Sequence, residues 1–279
     1  MTNQNPFSTG RIRPFRHFCA LLLAIAVTQT VRAEESAIKE QAPETRPADA
    51  SVDVAKRIDP TDFKNRFDLR SEYVDYGTAS IYSVTPRGEY AFTNALALRV
   101  ELPVVRFDPG NGNTTDQGIG NLMTRLAWRA VRGDSYAMVV GSELILNTAS
   151  DAKLGTGKNV LAPFAFWSID MPSAKSVFFP YVQYARSYSG ESSRQGVHYT
   201  NLRTSLMTRW PSKVYSFIEV NYWFDHEHGN RYSSNVKAEV GRFFTSHTGF
   251  YIRPGTGLSG TDNLLGLKST IEIGMRHFF

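Results

Sequence analysis

Cysteine occurs once in the 279 residues, at Cys19, so no disulfide within the chain can staple the fold. Long apolar runs are also missing. "FCALLLAIAV" (18–27) reaches only about half of the roughly 20 residues that a helix needs to cross a hydrocarbon core. A helical membrane span is therefore excluded. Acidic side chains are absent from residues 1–33, which carry Arg11, Arg13, Arg16 and Arg32, so that four of the five formal positive charges reside there. The remainder holds 27 basic and 26 acidic side chains. That balance removes the argument for nucleic acid as a partner.

The same first 33 residues have the form of an export signal: a positive start, a short apolar run, and "VRA" ending at Ala33 with small residues at the cleavage positions. Cys19 follows "RHF", whereas lipidation calls for small residues just before the cysteine, so a lipid anchor is not expected. Cleavage would leave a mature chain without cysteine. Residues 34–64 begin with "EESAIKEQAPETRPADASVDVAKRIDP" (34–60), rich in charge, Ala and Pro and nearly free of large apolar groups. They read as a disordered or loosely helical periplasmic lead-in.

From about residue 65 the polarity alternates with period two. At the end of the chain Leu267, Ser269, Ile271, Ile273, Met275, His277 and Phe279 interleave with Lys268, Thr270, Glu272, Gly274, Arg276 and Phe278. One face is apolar and the other charged, as in a strand. "VYSFIEVNYWFD" (214–225), "NLMTRLAWRA" (121–130) and "ALALRVELPVV" (95–105) sort in the same way, while 160–169 and 176–187 are ambiguous. Tight connections at 93–95, 132–135, 171–174, 211–213 and 246–248 alternate with longer polar loops, giving about twelve strands.

Such a sheet could belong to a soluble sandwich with its apolar face inward. Three features argue for lipid outside instead. Charge stands at mid-strand positions of one face over strands of about ten to twelve residues, a length suited to a tilted membrane strand. Short and long connections alternate, as in outer-membrane barrels. Trp128 and Trp210 lie on the apolar face beside predicted periplasmic turns, where an aromatic girdle belongs. The expected fold is all-β: a closed antiparallel transmembrane β-barrel of about 12 strands over 65–279, in the outer membrane of a Gram-negative bacterium. Only a closed barrel pairs all strand backbone groups in lipid, so the last strand is expected to pair with the first. Ile271, Ile273, Met275 and Phe279 resemble the C-terminal signature that barrel assembly machinery reads, with His277 where an aromatic is commoner.

"VTPRGEYAFTNALALRVELPVVR" (84–106), "GIGNLMTRLAWRAV" (118–131) and "ELILNTASDAKLGTGKNVLAPFAFWS" (143–168) resemble the outer-membrane barrel family named for the meta-pathway of phenol degradation. The similarity spans most of residues 65–279. Asn121 stands where the family pattern has Asp, and "NTAS" (147–150) replaces a Pro-Thr-Gly-like stretch. The resemblance implies a transporter and carries over no substrate-binding residue.

The inward face supplies the functional candidates: Arg87, Glu89, Arg99, Glu101, Arg125, Arg129, Glu143, Arg203, Glu219, Lys237, Glu239, Lys268 and Glu272. Eight strands fill a barrel with side chains and 16–18 leave a water channel, so about twelve is intermediate. These charges would either line a solvated pathway for small molecules, aromatic or hydrophobic compounds among them, or pair into a network that plugs the lumen as a structural or surface-interaction barrel.

Other motifs carry less. His226 and His228 in "DHEHGN" lie two apart but lack a clear third ligand, so no metal is expected. His198 and Thr200 share the apolar face as the catalytic pair of outer-membrane phospholipase does, yet no orienting third group is evident and threonine is a poor nucleophile, which leaves a lipid hydrolase as a distant alternative. "GTGK" (155–158) lacks the earlier glycine and the following Ser or Thr of a phosphate loop. "DPGNGNTTD" (108–116) lacks the ligand pattern of a calcium loop. No catalytic residue and no cofactor are expected. The expected partners are outer-membrane lipids and lipopolysaccharide, the barrel assembly machinery and an unidentified small solute.

Overall fold

The computed structural model describes residues 58–263 and 265–279. The expected signal peptide (1–33) and most of the lead-in (34–57) lie outside the described residues. Fourteen strand segments follow: β1 (Arg66–Asp75), β2 (Ser80–Thr93), β3 (Leu96–Glu101), β4 (Val104–Asp108), β5 (Asp116–Ile119), β6 (Leu122–Arg132) and β7 (Tyr136–Leu146). The series continues with β8 (Lys158–Met171), β9 (Ser176–Gly190), β10 (His198–Arg209), β11 (Val214–Asp225), β12 (Arg231–Phe243), β13 (Thr248–Ser259) and β14 (Ser269–Phe278).

These segments make twelve staves. β3 and β4 both pair with β2, in register with its two ends, and so form one stave interrupted at Leu102–Pro103. β5 pairs with β4 and β6 with β3, so they form the next, interrupted at Gly120–Asn121. Pro103 has no N–H to give to a ladder, and the Gly120 N–H instead donates to the Pro103 carbonyl at 2.8 Å. All remaining neighbours pair antiparallel in chain order, and β1 pairs with both β2 and β14. The ring is closed as expected, with Phe67 opposite His277 at the seam.

Alternation sorts the side chains as the sequence predicted. On β14, Ile273 is 55% exposed on the outside while Glu272 is 2% exposed on the inside. Trp128, Trp210, Leu126 and Ile218 are likewise exposed outward. An apolar outer belt with charge inside is the arrangement of an outer-membrane barrel. The short connections fall at one end, near 94–95, 133–135 and 172–175, and the long ones at the other. The short-turn end is periplasmic by that comparison.

β8 and β9, ambiguous in sequence, are fully formed strands. Their inward faces are apolar too: Val160, Ala162, Phe164 and Phe166 on β8, and Val177, Phe179, Tyr181 and Ala185 on β9 are all buried. With both faces apolar, no period-two contrast survives.

Candidate functional site

The inward side chains form two walls. One is charged and is centred on β14, β1, β2 and β3. Register places Asp68 opposite Arg87 and Arg276, Arg87 opposite Glu101, and Glu89 opposite Arg99. Opposed residues in antiparallel strands lie about 5 Å apart, so long side chains of opposite sign meet directly. Asp68 receives Arg87 Nη1 at 3.3 Å, Arg66 Nε at 3.4 Å and Arg276 Nε at 3.5 Å. Arg70 Nη2 reaches Glu101 Oε2 at 2.6 Å and Arg87 Nε reaches Glu101 Oε1 at 2.8 Å. Arg99 Nη2 lies 2.6 Å from Glu89 and Arg66 Nη2 3.2 Å. The Tyr251 hydroxyl donates to Glu272 Oε1 at 2.6 Å.

The network continues along the barrel. Glu239 lies 3.7 Å from Arg276 and 3.9 Å from Arg253, and Arg253 Nη2 is 2.9 Å from Glu219. Lys237 Nζ donates to Glu72 at 2.9 Å. Twelve of the thirteen candidate residues therefore line the interior. Lys268 precedes β14, is exposed, and lies over Gly77 at the long-loop rim. Arg66, Asp68, Arg70, Glu72 and Arg253 also line the interior without a signal having been read for them, as does Arg276, which the alternation of β14 placed on the charged face but which was not among the candidates. The first four alternate with Phe67, Leu69, Ser71 and Tyr73, a pattern as clear as that of β14.

The opposite wall is aromatic. Phe164, Phe166 and Tyr181 stack with ring centroids 5.8–6.3 Å apart. The walls meet at two arginines: Arg125 lies 4.5 Å over the Phe164 ring and Arg203 4.0 Å over Tyr181. Arg125 Nε also donates to Glu143 at 2.7 Å, and Gln183 Nε2 donates to the other Glu143 oxygen at 2.7 Å. Arg203 is 3.7 Å from Glu219.

Residues 58–64, assigned from composition to the lead-in, pack inside the periplasmic mouth. Ile58 is buried among Val177, Phe179, Met207, Tyr215, Phe243 and Phe278, and Phe63 among Ala97, Ala127, Val139, Phe164, Phe166 and Tyr181. Arg129 Nη1 donates to the Thr61 carbonyl at 2.9 Å and lies 3.4 Å from Asp62. Two apolar side chains among seven residues show no period, which is why composition read this segment as unstructured. Between Pro60, Phe63, Arg99, Arg125 and Phe166 the remaining void is about 20 Å³, room for about one water. At this level the lumen is filled.

At the other mouth, residues 147–157 fold against β5. Leu154 is buried where a side chain on Gly118 would stand. Asn121 hydrogen-bonds Thr156 at 3.1 Å. Lys153 Nζ donates to Asp116 at 2.8 Å, which holds the Lys153 ammonium above the ordinary lysine value. The "GIGN" and "LGTGK" stretches, far apart in sequence, are thus in contact.

The remaining motifs separate. His228 turns to Asp225 at 2.7 Å and Gln195 at 2.9 Å, whereas His226 meets Thr200 at 2.9 Å and Asn230 at 2.9 Å. Among the described residues no group of three His, Cys, Asp or Glu is placed to hold a metal. His198 bonds the Tyr184 hydroxyl at 2.7 Å rather than Thr200. Thr200, His226 and Asn230 follow the order of nucleophile, base and orienting group. Thr200 sits within β10, however, which is paired on both sides. Its neighbouring backbone N–H groups are committed to the ladders on both sides rather than gathered toward an oxyanion.

Ile271, Ile273 and Phe279 are exposed on the outer face, with Met275 half-buried between them. Phe279 N–H donates to the Asn65 carbonyl at 3.1 Å.

No protein-family model and no curated protein matches the chain. Solved structures do. The COG4313 outer membrane channel from Pseudomonas putida F1 is 13% identical, with a TM-score of 0.60 over 79% of this chain and 98% of that one. The NanC porin is 11% identical, with a TM-score of 0.58 over 76% and 99%. The KdgM porin, solved in complex with disordered oligogalacturonate, is 10% identical, with a TM-score of 0.55 over 77% and 99%. The chain shares with these outer-membrane porins and channels the architecture of a closed twelve-stranded barrel.

Proposed function

We propose that this protein gives small molecules passive passage across the outer membrane, and that it belongs to the barrel family named for the meta-pathway of phenol degradation. The observation that carries the reading is the junction of the two walls, where Arg125 and Arg203 lie over aromatic rings and keep carboxylate partners. A planar aromatic or hydrophobic solute can slide along the Phe164, Phe166 and Tyr181 faces while any carboxylate it bears exchanges with Glu143 or Glu219. Residues 58–64 hold the passage shut at its periplasmic end. In this reading residues 1–33 are removed on export, 34–57 lie in the periplasm, and Ile271, Ile273, Met275 and Phe279 are read by the assembly machinery.

The test is conductance in planar bilayers. A mature chain lacking residues 34–64 is expected to conduct more than the intact mature chain, and neutralising Arg99, Arg125 and Arg203 together to shift its ion selectivity toward cations. Unchanged conductance and selectivity would refute the open pathway. One observation favours a second reading, a plugged barrel acting through its outside loops: Val139 and Met207, which face the lumen, are fully buried. That reading predicts no conductance from either chain.

A further inference from the structure

The outer surface carries a second cluster of polar side chains that passage through the lumen does not use. On β9, Arg186 points outward, opposite Leu161 of β8 and His198 of β10. The next stave continues the row: the His226 N–H donates to the His198 carbonyl at 2.9 Å, and the two imidazole centroids are 4.9 Å apart. Adjacent strands are about 4.8 Å apart, so a guanidinium and two imidazoles span about 10 Å along one level of the wall. That level lies near the long-loop end, toward the outside of the cell.

Arg186 is exposed and has no ion-pair or hydrogen-bond partner among the described residues, whereas the lumen arginines described above are all paired. An arginine facing outward is costly at the bilayer midplane and tolerated at the headgroup level. The imidazoles beside it are fixed in advance. His226 is held through both nitrogens by Thr200 and Asn230, and His198 by the Tyr184 hydroxyl. Both nitrogens of His226 are thereby used, whereas Nδ1 of His198 keeps no partner among the described residues, and a group fixed in this way loses little entropy on binding. Beneath and beside the row, Leu161, Pro163, Tyr184, Arg186 and Tyr188 line a groove of about 480 Å³ on the outer face.

An unpaired guanidinium flanked by imidazoles at headgroup level, above an apolar groove, fits an amphiphile with an anionic head and acyl tails. We propose that Arg186, with the second ring nitrogen of His198 beside it, binds a phosphate of a phosphorylated glycolipid in the outer leaflet, with an acyl chain lying in the groove, while His226 closes the row as a fixed flank. The site does not depend on passage through the lumen, and its test leaves that question aside.

The intact mature chain in detergent micelles would be titrated with bisphosphorylated lipid A, dephosphorylated lipid A and phosphatidylglycerol, with binding read by native mass spectrometry. Bisphosphorylated lipid A should bind the tightest. The Arg186→Ala, His198→Ala double variant should lose roughly tenfold or more in affinity for it, the usual size of one or two charge-assisted hydrogen bonds. Arg242→Ala, which removes an exposed arginine at the periplasmic end of β12, should bind like the parent. The heat-dependent gel shift of each variant reports that it is folded. Equal binding by the double variant would overturn the proposal, as would phosphatidylglycerol or dephosphorylated lipid A matching the bisphosphorylated form.

Discussion

The two walls of the lumen are built from the same backbone and obey opposite rules. On the charged wall, identity matters more than volume. Asp68 is completely buried among Arg66, Arg87 and Arg276, and each guanidinium has a second carboxylate, Glu89, Glu101 and Glu239 respectively. Removing one carboxylate takes a partner from several cations at once. On the aromatic wall, volume matters more than identity, since Phe164, Phe166 and Tyr181 touch one another and Phe63 through dispersion and apolar burial.

Substitutions that keep the shape should separate the walls most sharply. Asp68→Asn keeps the volume and removes the charge, and should destabilise the barrel by about 3–5 kcal/mol, the usual cost of breaking a buried ion pair from one side. Phe166→Leu changes shape modestly within an apolar cluster and should cost less than about 1.5 kcal/mol. Urea titration in lipid vesicles, read by the gel shift of folded barrel, compares the two. If Phe166→Leu proved the costlier, the contrast between the walls would be wrong.

At the junction the effects should shrink. Arg203→Lys keeps the charge near Glu219 but gives up the flat stacking of the guanidinium on Tyr181, and should cost about 0.5–1 kcal/mol in the same titration. A much larger loss would place Arg203 in the charged network rather than between the walls. The smallest effect belongs to the outside loop. Lys153→Ala removes an exposed pair with Asp116, and the urea midpoint should not move measurably. A clear shift would mean that the 147–157 loop is fastened by this pair rather than by the burial of Leu154.

Which wall was legible in the sequence follows from the same contrast. β14 could be read residue by residue because Ile271 and Ile273 differ in kind from Glu272 and Arg276. β1 has the same contrast in Arg66, Asp68, Arg70 and Glu72, and its inner face was open to the same reading. β8 and β9 were not legible, since a strand with lipid on one side and a packed aromatic cluster on the other shows no alternation. Residues 58–64 were the least legible. Their positions follow from pockets assembled by strands more than a hundred residues away, such as Phe164 and Tyr181 around Phe63.

The sequence alone determined a closed barrel of about twelve strands with an apolar exterior, because period two in a strand assigns each side chain to one face whatever its neighbours do. Only the tertiary structure decided what the interior does with its charges and what fills it. Pairing Arg87 with Asp68 and Glu101, or seating Phe63 against Phe166, depends on which strands become adjacent on closure, and that is a property of register across the whole ring.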